Sequence, residues 1–197
     1  MKKIITWAVT SAFSFLLFLA CTSSTSRAPS EVTTVSNDSL VKRGYYLVTT
    51  MGCNDCHSPK IFTDHGPAPD TNLLLSGYPA AMPVAFIDTI ALKNWVLFNG
   101  MNTMAAGPWG VTFSANLTSD STGIGSWTEE QFAKALRQGK SKGLEGNRML
   151  LPPMPWPNYI HLADADLKAM FAYLKSTKPV KNNVPAPIPP TQLNKKA

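Results

Sequence analysis

Gly52-Cys53-Asn54-Asp55-Cys56-His57 is the stretch in which residue types and spacing most plainly permit chemistry. Two thiols two residues apart, with an imidazole directly after, form the pattern that attaches a haem covalently. Each thiol can add to one of two vinyl groups on the same porphyrin edge. The next residue then lies under the ring centre, where His57 reaches the iron from the proximal side. The competing chemistries fit less well. Zinc needs four ligands, and beyond His57 the exported chain offers only His65, His161 and Cys21, with no second cysteine pair. A dithiol redox pair belongs after a strand in a βαβ unit, whereas this pair follows a helical pattern. The motif therefore implies one haem c.

The cysteine count agrees. The chain opens Met1-Lys2-Lys3, runs apolar from Ile4 to Ala20 and reaches Cys21. A basic start, an apolar run and a small residue form a secretory signal. The end of the run, Phe18-Leu19-Ala20-Cys21, resembles a bacterial lipoprotein signal, with Phe18 where leucine is usual. On that reading residues 1–20 are removed and Cys21 is lipidated. A plain cleaved signal and an uncleaved anchor helix are the alternatives. The three cysteines are then spent on lipid and haem, and export to the periplasm follows.

The formal charge is +6, and loss of Lys2 and Lys3 leaves 16 basic against 12 acidic residues, a net +4. Two ionised propionates bring this to about +2. So small a bias gives no case for nucleic acid, and it suits an acidic partner surface no better than general solubility.

The elements that must position the motif follow in order. Residues 21–37 are rich in Ser and Thr and read as a tether. Asp38 can cap a helix from Ser39 to Met51, with Leu40, Gly44, Leu47, Val48 and Met51 on one face. Gly44 within it suggests close approach of another helix. From Ser58 to Phe113 the chain is broken by Pro and Gly and gives no clear period. Within it, Phe86–Phe98 reads as a short helix or a strand pair, Trp95 and Trp109 as packing residues, and His65 as a solvated loop residue. After a turn-rich stretch, Thr128 and Gln131 form a capping box for a helix to Gln138, ended by Gly139. Lys140–Arg148 reads as polar and flexible. A last helix covers Asp164–Thr177, with Ala163 a poor cap and Leu167, Met170, Phe171 and Leu174 as its buried stripe. The Pro-rich tail, residues 181–197, reads as extended and mostly solvated.

An iron held by one histidine leaves its other face open to a ligand. The exported chain has methionines at 51, 82, 101, 104, 149, 154 and 170. Only Met154 has a proline on each side, in Pro153-Met154-Pro155. Proline fixes the backbone on both sides, and a pre-organised thioether loses little entropy on ligation. Met154 is the expected sixth ligand, with Met149 the nearest rival.

Together the motifs resemble a class I c-type cytochrome, in particular the single-haem domains that accompany membrane dehydrogenases for alcohols, sugar acids and aldehydes. The resemblance is carried by Arg43-Gly44-x-Tyr46-Leu47 and the haem motif. It continues in Asn116-Leu117-Thr118-x-Asp120-x-Thr122-Gly123-Ile124-Gly125-x-Trp127 and in Ala135-Leu136-Arg137-x-Gly139. It ends with Pro153-Met154-Pro155-Trp156 and Asp166-Leu167-x-Ala169-x-x-x-Tyr173-Leu174. It implies an all-α, cytochrome c-like domain over residues 38–180, four or five short helices and long ordered loops around the haem. It implies Cys53, Cys56, His57 and Met154 as the haem-binding residues. Asn116, Trp127 and Arg137 are candidate propionate contacts, with a core Trp127 and a surface Arg137 as the plainer reading. The segment between His57 and Asn116 is longer than in many relatives.

The implied function is one-electron transfer on the periplasmic side of a membrane. Electrons pass from a dehydrogenase or quinol-oxidising complex to an oxidase or another cytochrome. With six ligands on the iron, no small-molecule substrate binds there. The alternative from another class is a peroxidase-like or ligand-sensing haem with a displaceable sixth ligand.

Overall fold

The computed structural model describes residues 36–84 and 86–193. The leader, Cys21 and the tether as far as residue 35 lie outside the described residues. Helix α1 spans Asn37–Thr50, and Ser36 caps it, its hydroxyl accepting from the Ser39 amide at 3.2 Å. The cap is thus Ser36 and not Asp38. Asp38 falls in the first turn, where a carboxylate suits the helix dipole, and pairs with Lys42 at 2.8 Å. Both side chains are exposed, so the pair adds little stability.

Helix α1 buries Gly44, Leu47 and Val48 against the last helix. That helix spans Asp164–Ser176 and buries Leu167, Ala169, Met170 and Leu174. Gly44 is the point of closest approach. A Cβ there would lie 2.0 Å from the Ala169 carbonyl oxygen and 2.6 Å from Tyr173 Cβ. Glycine costs a helix about 1 kcal/mol relative to alanine, and here the missing methyl lets two backbones touch. Gly44→Ala should therefore lower stability despite its better helix propensity, by about 1–3 kcal/mol as overpacking does. Thermal unfolding reads this as a lower Tm. An unchanged or higher Tm would mean that the helices part at no cost.

The short helix α2, Cys53–His57, follows α1 directly. Helix α3 spans Glu129–Gln138, with Thr128 and Gln131 completing the capping box and Gly139 ending it in the left-handed conformation. It buries Phe132, Ala135 and Leu136, and the Phe132 and Phe171 rings stand 5.6 Å apart. The last helix is therefore α4. Its N-cap, Ala163, has no side-chain acceptor. From α3, Arg137 donates to the Leu162 carbonyl at 2.7 Å and pairs with Asp164, in the first turn of α4, at 2.6 Å.

The fold is mostly helical, with two small antiparallel sheets inside the segment that lacks a clear period. Strands β1 (Lys60–Thr63) and β2 (Gly66–Pro69) form a hairpin whose turn carries the exposed His65. Strands β3 (Leu97–Phe98), β4 (Met104–Gly107) and β5 (Gly110–Phe113) form a sheet in that order. Phe86–Phe98 is neither a helix nor a strand pair. It holds one 3-10 turn, Ala91–Lys93, and then β3. Trp95 does not pack inside; it is 69% exposed. Trp109 is partly buried, and its indole N–H is buried with no acceptor.

Two further expectations are corrected. Lys140–Arg148 is not a flexible link. It makes a 3-10 turn at Ser141–Gly143, Lys140 bridges Met149, and Lys134 pairs with Glu145 at 2.8 Å. The tail is extended but not mostly solvated. The Asn182 side chain donates to the Ser76 and Tyr78 carbonyls at 2.7 and 2.8 Å and accepts from the Ala80 amide. Ile188 pairs with Val111 on β5, and Val184, Ile188 and Leu193 pack on a core of Tyr78, Leu92, Met104 and Val111. The ordered domain thus runs well past residue 180.

Candidate functional site

Gly52 makes the turn from α1 into α2, with φ +70°. A side chain at that φ would be strained. Within α2, Cys53 and Cys56 are three residues apart, so one helical turn puts both on one face. Both are unpaired thiols and both line a cavity of about 410 Å³. Burial pushes the Cys53 thiol up to about 11 and raises Cys56 as well, with the Asp55 carboxylate adding to both.

His57 closes the turn and lines the same cavity. Its Nδ1–H donates to the Ala115 carbonyl at 2.8 Å. That bond fixes the ring and leaves the Nε2 lone pair for a metal. Desolvation lowers the ring's pKa, so the imidazole is neutral, as a ligand must be. Around it the backbone is pinned. The His57 carbonyl accepts from Gly77 N at 2.8 Å. The buried Ser58 hydroxyl donates to Asn54 Oδ1 at 2.7 Å and accepts from Leu75 N at 2.9 Å.

The rest of the cavity wall is mostly apolar, including Phe98, Leu117, Ile124, Phe132 and Leu136. Met154 lines it too. Its strap is fastened by Thr112, whose hydroxyl donates to the Pro152 carbonyl at 2.8 Å, and by the Leu150 amide on the Gly139 carbonyl at 2.6 Å. Met51, Met104 and Met170 also line this cavity, from the end of α1, β4 and α4. Met149 does not; its methyl lies beside Gly139 and it is 41% exposed.

A second, more polar cavity of about 870 Å³ shares His57, Trp127, Lys142 and Met154 with the first. Among the lining methionines, only Met154 belongs to both. Its wall adds Arg148 from the 141–148 segment and the tail at residues 183–187. Burial lowers the Arg148 pKa, and its Nη1 donates to the Met149 carbonyl at 2.8 Å.

The three expected propionate contacts separate here. Trp127 lines both cavities. Asn116 lines the polar one, but its amide is committed. Nδ2 donates to Thr122 Oγ1 at 3.1 Å and the Val180 carbonyl at 2.8 Å, while Oδ1 accepts from the Thr118 amide and hydroxyl. Asn116 therefore holds a turn and the tail. Arg137 lines neither cavity; its guanidinium is held by the Leu162 carbonyl and the Asp164 carboxylate at the start of α4. The cations at the polar end are Lys142 and Arg148, which sequence reasoning missed. No local signal marks Lys142, which reaches the cavity from a left-handed backbone at φ 58°. For Arg137 a signal existed: Asp164, in the first turn of the next helix, offers a carboxylate to pair with it.

The donor set fits a haem. An imidazole with one free nitrogen and two thiols line one cavity with a thioether. The walls are apolar, and an adjoining polar chamber carries two cations that suit two carboxylates. Both volumes lie in the range of ligand sites, about 300–1,000 Å³.

The cytochrome c family model matches residues 41–178. The chain is 34% identical over 139 residues to the gluconate 2-dehydrogenase cytochrome c subunit of Pantoea cypripedii, covering 70% of this chain and 23% of that protein. It is 32% identical over 156 residues to the fructose dehydrogenase cytochrome subunit of Gluconobacter japonicus, covering 78% and 24%. Against the cytochrome c subunit of the quinone alcohol dehydrogenase of Gluconobacter oxydans it is 30% identical over 154 residues, 77% and 24%. The matched region thus spans less than a quarter of the length of these relatives.

Proposed function

The chain belongs to the cytochrome c family, and from that premise we propose that it is an electron carrier, anchored by lipid on Cys21 at the periplasmic side of a membrane. Covalently attached haem c comes with the family, and the bound haem supplies a one-electron couple. In this reading Cys53 and Cys56 hold the ring, His57 ligates the iron from one side and Met154 from the other. The observation that carries it is the shared cavity, where the hydrogen-bonded imidazole and the proline-held thioether meet both thiols.

Each residue then has a physical task. The Ala115 carbonyl fixes the His57 ring, so its orientation is set before the metal binds. Met154 would offer its thioether to the iron, which would keep water and small molecules away and favour the ferrous state. The apolar wall excludes water. Trp127, Lys142 and Arg148 would meet the propionates at the polar end. Among the described residues no helix is long and apolar enough to cross a membrane, so an anchor would lie in the N-terminal segment.

The relatives named above are cytochrome subunits of gluconate, fructose and alcohol dehydrogenases. We therefore assign the donor to a membrane dehydrogenase of that kind or a quinol-oxidising complex, and the acceptor to an oxidase or a further cytochrome. The test is to follow the haem spectrum in membranes containing this chain. Gluconate, fructose or ethanol, supplied with the matching dehydrogenase, should reduce the haem, and oxygen should reoxidise it through the oxidase. Rapid peroxide turnover, with carbon monoxide binding to the resting ferrous protein, would instead favour the catalytic alternative.

A further inference from the structure

Lys60 stands three residues after His57, and its role is absent from the haem motif. Its ammonium donates to three carbonyls at the end of α2. These are Asn54 at 3.0 Å, Asp55 at 3.1 Å and Ser58 at 2.5 Å. A neutral amine has only two N–H groups, so three acceptors require the ammonium form. Lys60 makes no ion pair among the described residues. Burial pulls the Lys60 pKa down, and the Asp55 carboxylate pulls it up by less.

Asn102 approaches the same turn from the β3–β4 connection. Its Nδ2 donates to the Asp55 carbonyl at 3.0 Å and lies 3.6 Å from Cys56 Sγ. It also lines the apolar cavity. Asn102 holds a left-handed backbone, φ 59°, with its amide on the Asn99 carbonyl at 2.9 Å. The Asp55 carbonyl thus accepts from both side chains, and both come from the segment between His57 and Asn116. One brings a fixed positive charge and the other an amide dipole aimed at a sulfur that would carry the haem.

We propose that Lys60 and Asn102 form an electropositive clamp on the haem-attachment turn, which holds α2 in place and raises the reduction potential of the bound haem. The inference rests on haem attachment at Cys53 and Cys56. Oxidised iron carries one more positive charge than reduced iron. A cation fixed nearby and partly shielded from solvent therefore disfavours the oxidised form. The amide N–H beside Cys56 acts in the same direction by withdrawing electron density from the sulfur. Both are positioning residues, since neither touches the iron.

The test is the midpoint potential of the haem-loaded chain, with covalent haem per chain as control. Lys60→Met should shift the equilibrium with a reference couple about tenfold toward the oxidised form, ~59 mV for one electron. Lys60→Arg should keep the wild-type value. Asn102→Ala should shift it the same way by less. Where Lys60→Met fails to load haem, Lys60→Gln decides, because it keeps donors and drops the charge. A haem-loaded Lys60→Met or Lys60→Gln chain within twofold of wild type overturns the proposal and leaves Lys60 a helix cap. The ligation is read separately. Absence of a thioether-to-iron band in the wild type would overturn Met154 as ligand and leave the Lys60-dependent shift standing, whereas a wild-type chain without covalent haem would overturn both.

Discussion

A chain carrying both Cys53→Ala and Cys56→Ala should show no haem after denaturing electrophoresis, and each single variant should retain less than the parent. The two thiols sit on one turn of α2 and face one cavity, and among the described residues they are the only free cysteines. No other described side chain offers a thiol that could add to the haem. The effect should extend to stability. A covalent haem stays on the unfolded chain as well, so what stabilises the fold is that only the folded chain buries the ring and ligates its iron. Without it, a cavity of about 410 Å³ with mostly apolar walls loses the contacts that fill it, as a void does. The double variant should therefore melt well below the loaded parent, with its far-ultraviolet spectrum showing how much of α1 and α4 survives. Haem that still migrates with the denatured double variant would place the attachment elsewhere.

Much of this site is legible locally, because its parts are short-range. The spacing of Cys53, Cys56 and His57 is set within one helical turn. Thr128 and Gln131 are a capping box whatever surrounds them, and Gly139 ends its helix by its own conformation. Gly44 is visible as an anomaly, and its cause, the Ala169 carbonyl, is the contact a helix glycine suggests. What is hidden depends on partners far along the chain. Strands of two to four residues between prolines leave no period to detect, and β3–β5 exist by pairing with one another. The tail reads as solvated because prolines dominate it. One residue, Asn182, ties it to the Ser76, Tyr78 and Ala80 backbone more than a hundred positions earlier. Arg137 reads as a propionate partner from its motif, yet the Leu162 carbonyl and the Asp164 carboxylate claim it. Asn116 is similar: its amide has room for the tail and the turn and for nothing further. Lys142 and Arg148 become visible only once the 141–148 segment is seen to fold over the polar cavity.

Met154→Ala should open the axial face of the iron opposite His57. The thioether-to-iron band should vanish, and water or added cyanide should bind the ferric protein, where the parent resists both. The midpoint potential should fall, because the thioether's preference for ferrous iron is gone. Axial ligands span about 0.8 V across haem proteins, so a change on the order of 0.1 V is expected. Met149→Ala should leave band and potential unchanged, since Met149 is exposed and lines neither cavity. Met154→His should restore a low-spin iron at lower potential if the imidazole reaches from the same strap. Met51, Met104 and Met170 line the apolar cavity as well, so they are the controls that matter. Each belongs to a wall or to the core, and its replacement should cost stability before it costs the band. Loss of the band in one of these, with Met154→Ala neutral, would move the ligand there. The distinction is physical: a thioether between two prolines, on a strap pinned by Thr112 to the Pro152 carbonyl, has its direction fixed before the iron arrives, so ligation costs little ordering.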